Sequence, residues 1–338
     1  MPVFSILTPT YNHENFLEAC IRSVISQTFQ DWEMIILDDG SADRTGDIAL
    51  QWAAHEKRIR YYHQENKGID LLAATYNTGL SIAQGRYICI LEGDDLWKPD
   101  KLKRQFDILE QHPEVIVCWG RAEARVSGTS VLERISPPAG IPADPLWFNQ
   151  PAGTILNALY LENMIPAVTI TIRKSALIET GGFKQPPGFP TTDLPTLTDL
   201  ALRGPFFFDA EILAQWRVYS NQTTKKYPVE MVQNRWQFVQ HHIDQLDPGY
   251  RRIITIKPHD IERHFRNRLM IAYASSGRYR LIRKEFKDAR SDYARALFYP
   301  VGGNWVWRAR AITGWIFSLF HWNVESLSRM LGKTSYNP

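Results

Sequence analysis

Tyr87-Ile88-Cys89-Ile90-Leu91-Glu92-Gly93-Asp94-Asp95 sets five apolar residues directly against a run of acids. An uninterrupted apolar run of this length fits a strand buried on both faces, the pattern of a parallel sheet. The same form recurs upstream in Phe4-Ser5-Ile6-Leu7-Thr8, which stops at Pro9, and in Glu33-Met34-Ile35-Ile36-Leu37, which ends at Asp38-Asp39-Gly40-Ser41. Arg58 to His63 reads as a further strand. Between them, Phe16, Leu17, Cys20, Ile21, Val24 and Ile25 recur at helical spacing, after a polar start at Asn12-His13 that suits a cap. Helices are predicted over about 43–55 and 71–83, the second terminated by Gly85. A helix from near Pro99 and a strand over Val115 to Trp119 close the series.

Strands alternating with helices imply an α/β fold with a doubly wound, mainly parallel sheet. Ligands of such sheets bind at the C-terminal ends of the strands. Four polar clusters fall there: Thr8 to Asn12, Asp38-Asp39, Asn66-Lys67-Gly68, and Glu92 to Asp95. Beyond Gly120 the pattern changes. Ser136 to Pro151 is Pro-rich and irregular, Ala167 to Ile172 and Ile212 to Val218 resemble strands, and Asp193 to Leu202 is helical. Long helical stretches begin near Pro228. The expected division is an α/β domain over 1–225, changing character between its 1–120 and 121–225 parts, followed by a helical region over 226–338.

Bulk properties narrow the choices. The 338 residues suit about two domain-sized units, and 44% hydrophobic with 22% charged residues argues against disorder. A net charge of +3 is too small to imply nucleic-acid binding. Cys20, Cys89 and Cys118 are widely spaced in apolar surroundings and read as buried free thiols. No secretory leader is evident, so the Asn221-Gln222-Thr223 sequon reads as a turn. The apolar stretch Ala311 to Trp322 is well short of the ~20 residues that span a bilayer. The expected place is the cytoplasm, either free or peripheral on the inner face of the membrane.

Carboxylates at a strand end suit a hard divalent cation, Mg²⁺ or Mn²⁺, which takes one or two protein ligands and completes its shell with phosphate and water. Glu92 and Asp94 stand two apart and can face one ion in an extended turn. Alone, the run reads as well as an acidic turn capping the next helix, and Asp38-Asp39-Gly40-Ser41 reads as well as a helix cap.

Taken in order, these pieces resemble family 2 glycosyltransferases of the GT-A fold across roughly residues 3 to 224. The resemblance rests on Ser5 to Asn12, Ser23 to Thr28, Asp38 to Thr45, Asn66-Lys67-Gly68, Asn77-Thr78-Gly79, Ala83-Gln84-Gly85 and Glu92 to Asp95. Gly181-Gly182-Phe183 and Arg217 to Asn221 continue it downstream. It implies that Tyr11 stacks on a pyrimidine base, that Asp39 accepts the base N3–H, and that Pro9 lines the base pocket with Lys67 near the nucleotide. Uracil or thymine is then favoured over cytosine. It also implies Asp94 as the main metal ligand, with Glu92 towards the ribose or the ion. In Thr192-Asp193-Leu194-Pro195, Asp193 matches the position of the catalytic base, with Asp199 as a rival. The base takes the acceptor proton as the oxygen attacks, inverting the anomeric carbon. Three departures stand out: Glu92 for the usual Asp, Tyr76 where many members carry Arg, and Tyr219 for a frequent His.

The C-terminal region interleaves Arg278, Arg280, Arg283, Lys284 and Lys287 with Tyr279, Leu281, Ile282 and Phe286. Trp305, Trp307, Trp315 and Trp322 follow, beside Arg308 and Arg310. Such helices suit either an anionic membrane surface or a cap packed on the protein or a second subunit. The expected activity is an inverting transferase moving a sugar from a UDP- or dTDP-sugar to a saccharide or lipid-linked acceptor, in surface polysaccharide or glycolipid synthesis. An inactive sugar-nucleotide or membrane-binding module is an alternative. A nucleotidyltransferase fits less well, because the Thr8–Asn12 loop has neither the glycine nor the lysine that holds a triphosphate.

Overall fold

The apolar runs become the parallel half of one sheet. β1 (Phe4–Thr10) lies between β2 (Trp32–Asp38) and β4 (Tyr87–Ile90), and β2 also pairs β3 (Ile59–His63), all in parallel. The computed structural model describes residues 1–129, 131–140, 143–219, 222, 226–302 and 304–322; Asn221, with its sequon and the end of the downstream landmark, lies outside them. The strands are buried throughout except at β3. Alternate residues feed two layers. Phe4, Ile6, Met34, Ile36, Tyr87 and Cys89 pack with α1 (Leu17–Ile25), α2 (Thr45–His55) and α4 (Lys101–Gln111). On the opposite face, Gly79 of α3 (Leu72–Ile82) sits so close that a Cβ would stand 2.7 Å from Leu37 and 3.0 Å from Leu7.

The other half of the sheet is mixed. β5 (Leu96–Trp97), β6 (Val117–Val126), β7 (Leu132–Ser136), β8 (Thr171–Arg173) and β9 (Phe206–Val218) complete the order β3-β2-β1-β4-β8-β6-β9-β5, with β7 on β6. β8 runs antiparallel to β4 and β6, while β9 runs parallel to β6. Short helices α5 (Leu156–Leu159) and α6 (Lys174–Glu179) and the longer α7 (Asp193–Ala201) flank it.

The expected strand over Ala167 to Ile172 is mostly a 3₁₀ turn at Ala167–Thr169, and β8 begins only at Thr171. Side chains take the carbonyls a ladder would use: Trp97 Nε1 donates to Val168 at 2.8 Å and Gln105 Nε2 to Thr169 at 2.8 Å. β9 begins before Ile212, and its register against β6 jumps from Asp209 to Ile212. Arg104 holds the Asp209 carboxylate there through two bonds of 2.8 and 2.9 Å.

Met1–Val218 with Pro248–Ile254, which contains α9 (Pro248–Arg251), forms one compact unit; Tyr219–Asp247 and the chain from Thr255 form the other. The second unit holds α8 (Pro228–Gln245), α10 (Pro258–Ile282), α11 (Phe286–Phe298) and α12 (Trp305–Leu319). Ala274, Leu281, Ala289, Tyr293, Ala296 and Ala311 form its core. The basic stretch is partly paired: Arg280 lies 3.2 Å from Asp292, and Arg283 lies 3.4 Å from Glu285. No described helix is long and apolar enough to cross a membrane. Cys20, Cys89 and Cys118 are free and buried.

Gly85 does not cap α3, which ends at Ile82 with Ala83 as its C-cap. It serves a close approach instead. Its N–H donates to Ser5 Oγ at 2.7 Å, Ser5 Oγ donates to Glu33 at 2.6 Å, and Arg60 Nη1 lies 2.8 Å from the other Glu33 oxygen. A Cβ at Gly85 would stand 2.5 Å from the Ser5 backbone nitrogen. Overpacking against backbone costs about 1–3 kcal/mol, so Gly85→Ala is expected to lower the unfolding free energy measured in urea by that amount without changing the secondary structure seen by circular dichroism.

Candidate active site

β1 delivers its loop to the same edge as β2. Asn12 adopts a left-handed φ of 54°, which Asn tolerates better than most residues. It does not cap a helix: its N–H donates to Ser41 Oγ and its Oδ1 accepts from Ala42 N–H, both at 2.9 Å. His13 N–H donates to Thr45 Oγ1 at 2.7 Å, and Glu14 N–H donates to Asp43 Oδ2 at 3.1 Å. The two loops are laced together, and Tyr11 stands 49% exposed beside them.

The neighbouring acids after β2 divide the work. Asp38 is buried, accepting from Ser41 N–H at 2.9 Å and Tyr61 Oη at 2.8 Å. Asp39 faces the loop after β3: Oδ1 accepts from Gln64 Nε2 at 2.6 Å and Lys67 N–H at 3.0 Å, and Oδ2 accepts from Gly68 N–H at 3.1 Å. The Lys67 ammonium donates to Gln64 Oε1 at 3.1 Å. Pro9 is buried within β1, where its carbonyl accepts Gly93 N–H at 3.0 Å.

That bond places the acidic turn. Leu91 N–H donates to Leu7 O at 3.1 Å, and Asp95 N–H closes the turn onto Glu92 O at 3.0 Å. Gly93 is required here, because a Cβ would stand 2.7 Å from Thr10 Oγ1 and 2.9 Å from His13 Nδ1. Glu92, Asp94 and Asp95 each offer a carboxylate oxygen, all within 4.8 Å of one another. Arg217 of β9 clamps the turn from the far half of the sheet. Its N–H donates to Asp95 Oδ1 at 2.9 Å, Nε donates to the Asp94 carbonyl, and Nη2 donates to Phe16 O at 3.0 Å.

On the other side Tyr76 Oη donates to Glu92 Oε1 at 3.3 Å, while its ring stacks on Phe183 with centroids 4.7 Å apart. Phe183 is fixed to α3 through both groups of the Asn77 amide, at 2.8 and 3.0 Å. Asp193 opens α7, and its Oδ2 accepts from Asn163 Nδ2 at 2.6 Å. Asp199 lies further along the same helix.

Burial pushes the Glu92 carboxyl up to about 8, with the charges of Asp94 and Asp193 adding to the effect. Asp95 is raised well above the carboxylate range by burial, then by Asp94 and Glu92. Burial lowers His13 despite the nearby Asp94, and its Nδ1 has no hydrogen-bond partner. A tight set of carboxylates whose ionised forms repel is what a hard divalent cation relieves, so the donor set fits Mg²⁺ or Mn²⁺.

The structure therefore brings Glu92, Asp94 and Asp193 into one electrostatic group, and gathers Tyr11, Asp39 and Lys67 on the loops after β1, β2 and β3. It adds residues to which the sequence reading gives no role in the site: Asp95, His13, Tyr76, Asn163 and Arg217. Tyr76 had a signal of the wrong sign, since it reads as a lost arginine; Asn163 had none.

Residues 5–180 match the family profile of Glycosyl transferase family 2. TuaG of Bacillus subtilis (strain 168), a glycosyltransferase named for teichuronic acid biosynthesis, is 30% identical over 253 residues, covering 72% of this chain and 90% of that one. Among solved structures, TarS 1–349 of S. aureus in complex with UDP-GlcNAc has a TM-score of 0.58 at 14% identity, over 98% of this chain and 93% of that one. The mannosyltransferase PcManGT of Pyrobaculum calidifontis, in complex with GDP-Man and Mn²⁺, has a TM-score of 0.55 at 18% identity, over 94% and 81%.

A carboxyl whose folded pKa is raised favours folding below its unfolded value, and that contribution is lost as pH rises through the folded one. For Glu92 the window runs from the ordinary carboxylate range to about 8. In EDTA the melting temperature is expected to fall as pH rises across this window, and millimolar Mn²⁺ is expected to restore several degrees at the alkaline end and little at the acid end. Asp94→Asn should flatten both trends in a thermal-shift series.

Proposed function

Since the chain belongs to glycosyl transferase family 2, we propose that it moves a sugar from a UDP- or dTDP-linked donor to a hydroxyl of a saccharide or lipid-linked acceptor, with inversion at the anomeric carbon. The product is part of a cell-surface polysaccharide or glycolipid, a reading supported by the name of the TuaG relative. The enzyme works at the cytoplasmic side, peripherally at the membrane.

One arrangement carries the chemistry: Glu92, Asp94 and Asp95 gather their carboxylates within 4.8 Å of one another at the C-terminal edge of the sheet, and the charge of Asp193 adds to the upward push on Glu92. In this reading Tyr11 stacks on the base and Asp39 accepts its N3–H. The Asp39 carboxylate is already oriented by Gln64, Lys67 and Gly68, so an N–H donor completes its set and an acceptor would face it unpaired. Pro9 lines the base pocket, and Lys67 lies near the nucleotide. Asp94 and Glu92, with Asp95 in the same cluster, would hold a divalent cation, which would offset charge on the leaving diphosphate. Asp193, positioned by Asn163, takes the acceptor proton as its oxygen attacks the sugar carbon. Tyr76 keeps Glu92 in place from the side where an arginine is common.

Asp193→Asn is expected to lower kcat by about 10²–10⁴-fold, leaving the Kd for UDP with Mn²⁺ within twofold; transfer that survives unchanged would remove the base assignment. Thermal stabilisation by UDP-, dTDP- and GDP-sugars, with and without Mn²⁺, tests the donor. UDP- or dTDP-sugars should stabilise, Tyr11→Ala should weaken this, and a response to the GDP-sugar alone would overturn the pyrimidine reading.

A further inference from the structure

Helix α12 is built inside out. Its buried positions are the small Ala311, Gly314 and Ser318, and Gly314 lies so close to the Tyr293 ring of α11 that no Cβ would fit. Trp307 and Phe317 pack partly against the same core. The other large apolar side chains point away from it. Trp305 is 78% exposed, Ile312 49%, Ile316 40%, Leu319 41% and Phe320 61%. At about 100° per residue, Trp305, Ile312, Ile316 and Leu319 fall on one stripe, bordered by Phe320 and Trp315. Phe298, at the end of α11, is 85% exposed. It lies at the Trp305 end, because Arg308 bonds the carbonyls of Leu297 and Tyr299 on either side of it. Soluble surfaces rarely leave an apolar stripe of this kind open.

Charge selects the occupant. No Asp or Glu occurs between Asp292 and Glu325, whereas Arg295, Arg308 and Arg310 do. A second copy would bring the same cations to the contact. An anionic lipid surface attracts this net positive charge, and its acyl boundary takes Trp305, Ile312, Ile316 and Leu319 while Trp315 and Phe320 flank them at headgroup depth. The helix is too short to cross. We propose that α12 is an interfacial anchor that lies in the plane of an anionic bilayer with the Trp305–Ile312–Ile316–Leu319 stripe facing the acyl chains. This deepens the peripheral placement proposed above by assigning the surface that makes contact.

The test is co-sedimentation of the full chain with vesicles of phosphatidylcholine, alone or with phosphatidylglycerol. Binding is expected only with the anionic lipid and should fall with added salt. The double variant Ile312→Ser, Ile316→Ser should lose at least tenfold in partition coefficient, and Arg310→Glu several-fold, with melting temperatures unchanged because these side chains are exposed. Absence of binding, or equal binding by the double variant, would overturn the proposal. So would a dimer of the wild type in light scattering that the double variant loses, which would assign the stripe to a second copy. Vesicle binding is read without donor, metal or acceptor, so its failure leaves the sugar-transfer reading standing.

Discussion

Three carboxylates with oxygens within 4.8 Å of one another, in a turn largely withdrawn from water, repel each other strongly enough to dominate the architecture around them. Such a turn persists only if the rest of the fold holds it. Pro9 and Leu7 fix it to the central strand, Arg217 reaches it from β9, and Tyr76 braces it from α3. Both halves of the sheet therefore converge on one short segment. Burial and this mutual repulsion both push the Glu92 and Asp95 carboxyls above their ordinary range.

The parallel half of the fold was legible because burial on both faces leaves a plain trace: unbroken apolar runs, each ending in polar residues at one edge. The second half was less so, for reasons visible in particular residues. β9 carries Asp209 and Glu211 at a bulge, so its polarity looks like a loop until Arg104 is seen to neutralise Asp209. Residues 167–169 have strand-like composition but give the carbonyls of Val168 and Thr169 to Trp97 and Gln105, partners 71 and 64 residues upstream.

The candidate site divides in the same way. Residues at strand ends could be named from order and chemistry. Those that position them could not, since Asn163 meets Asp193 across 30 residues and Arg217 meets Asp95 across 122. A departure from the family pattern was also informative in an unexpected sense. Tyr76 brings no charge to the edge; it brings a hydroxyl to Glu92 and a ring to Phe183.

The lacing of the loop after β1 to the loop after β2 has a thermodynamic consequence. Asn12, His13 and Glu14 are already bonded to Ser41, Thr45 and Asp43, so this stretch has given up its conformational freedom during folding. A nucleotide arriving at Tyr11 and Asp39 would find that backbone ordered, and the entropy that a floppy loop surrenders on binding would not be subtracted from its affinity.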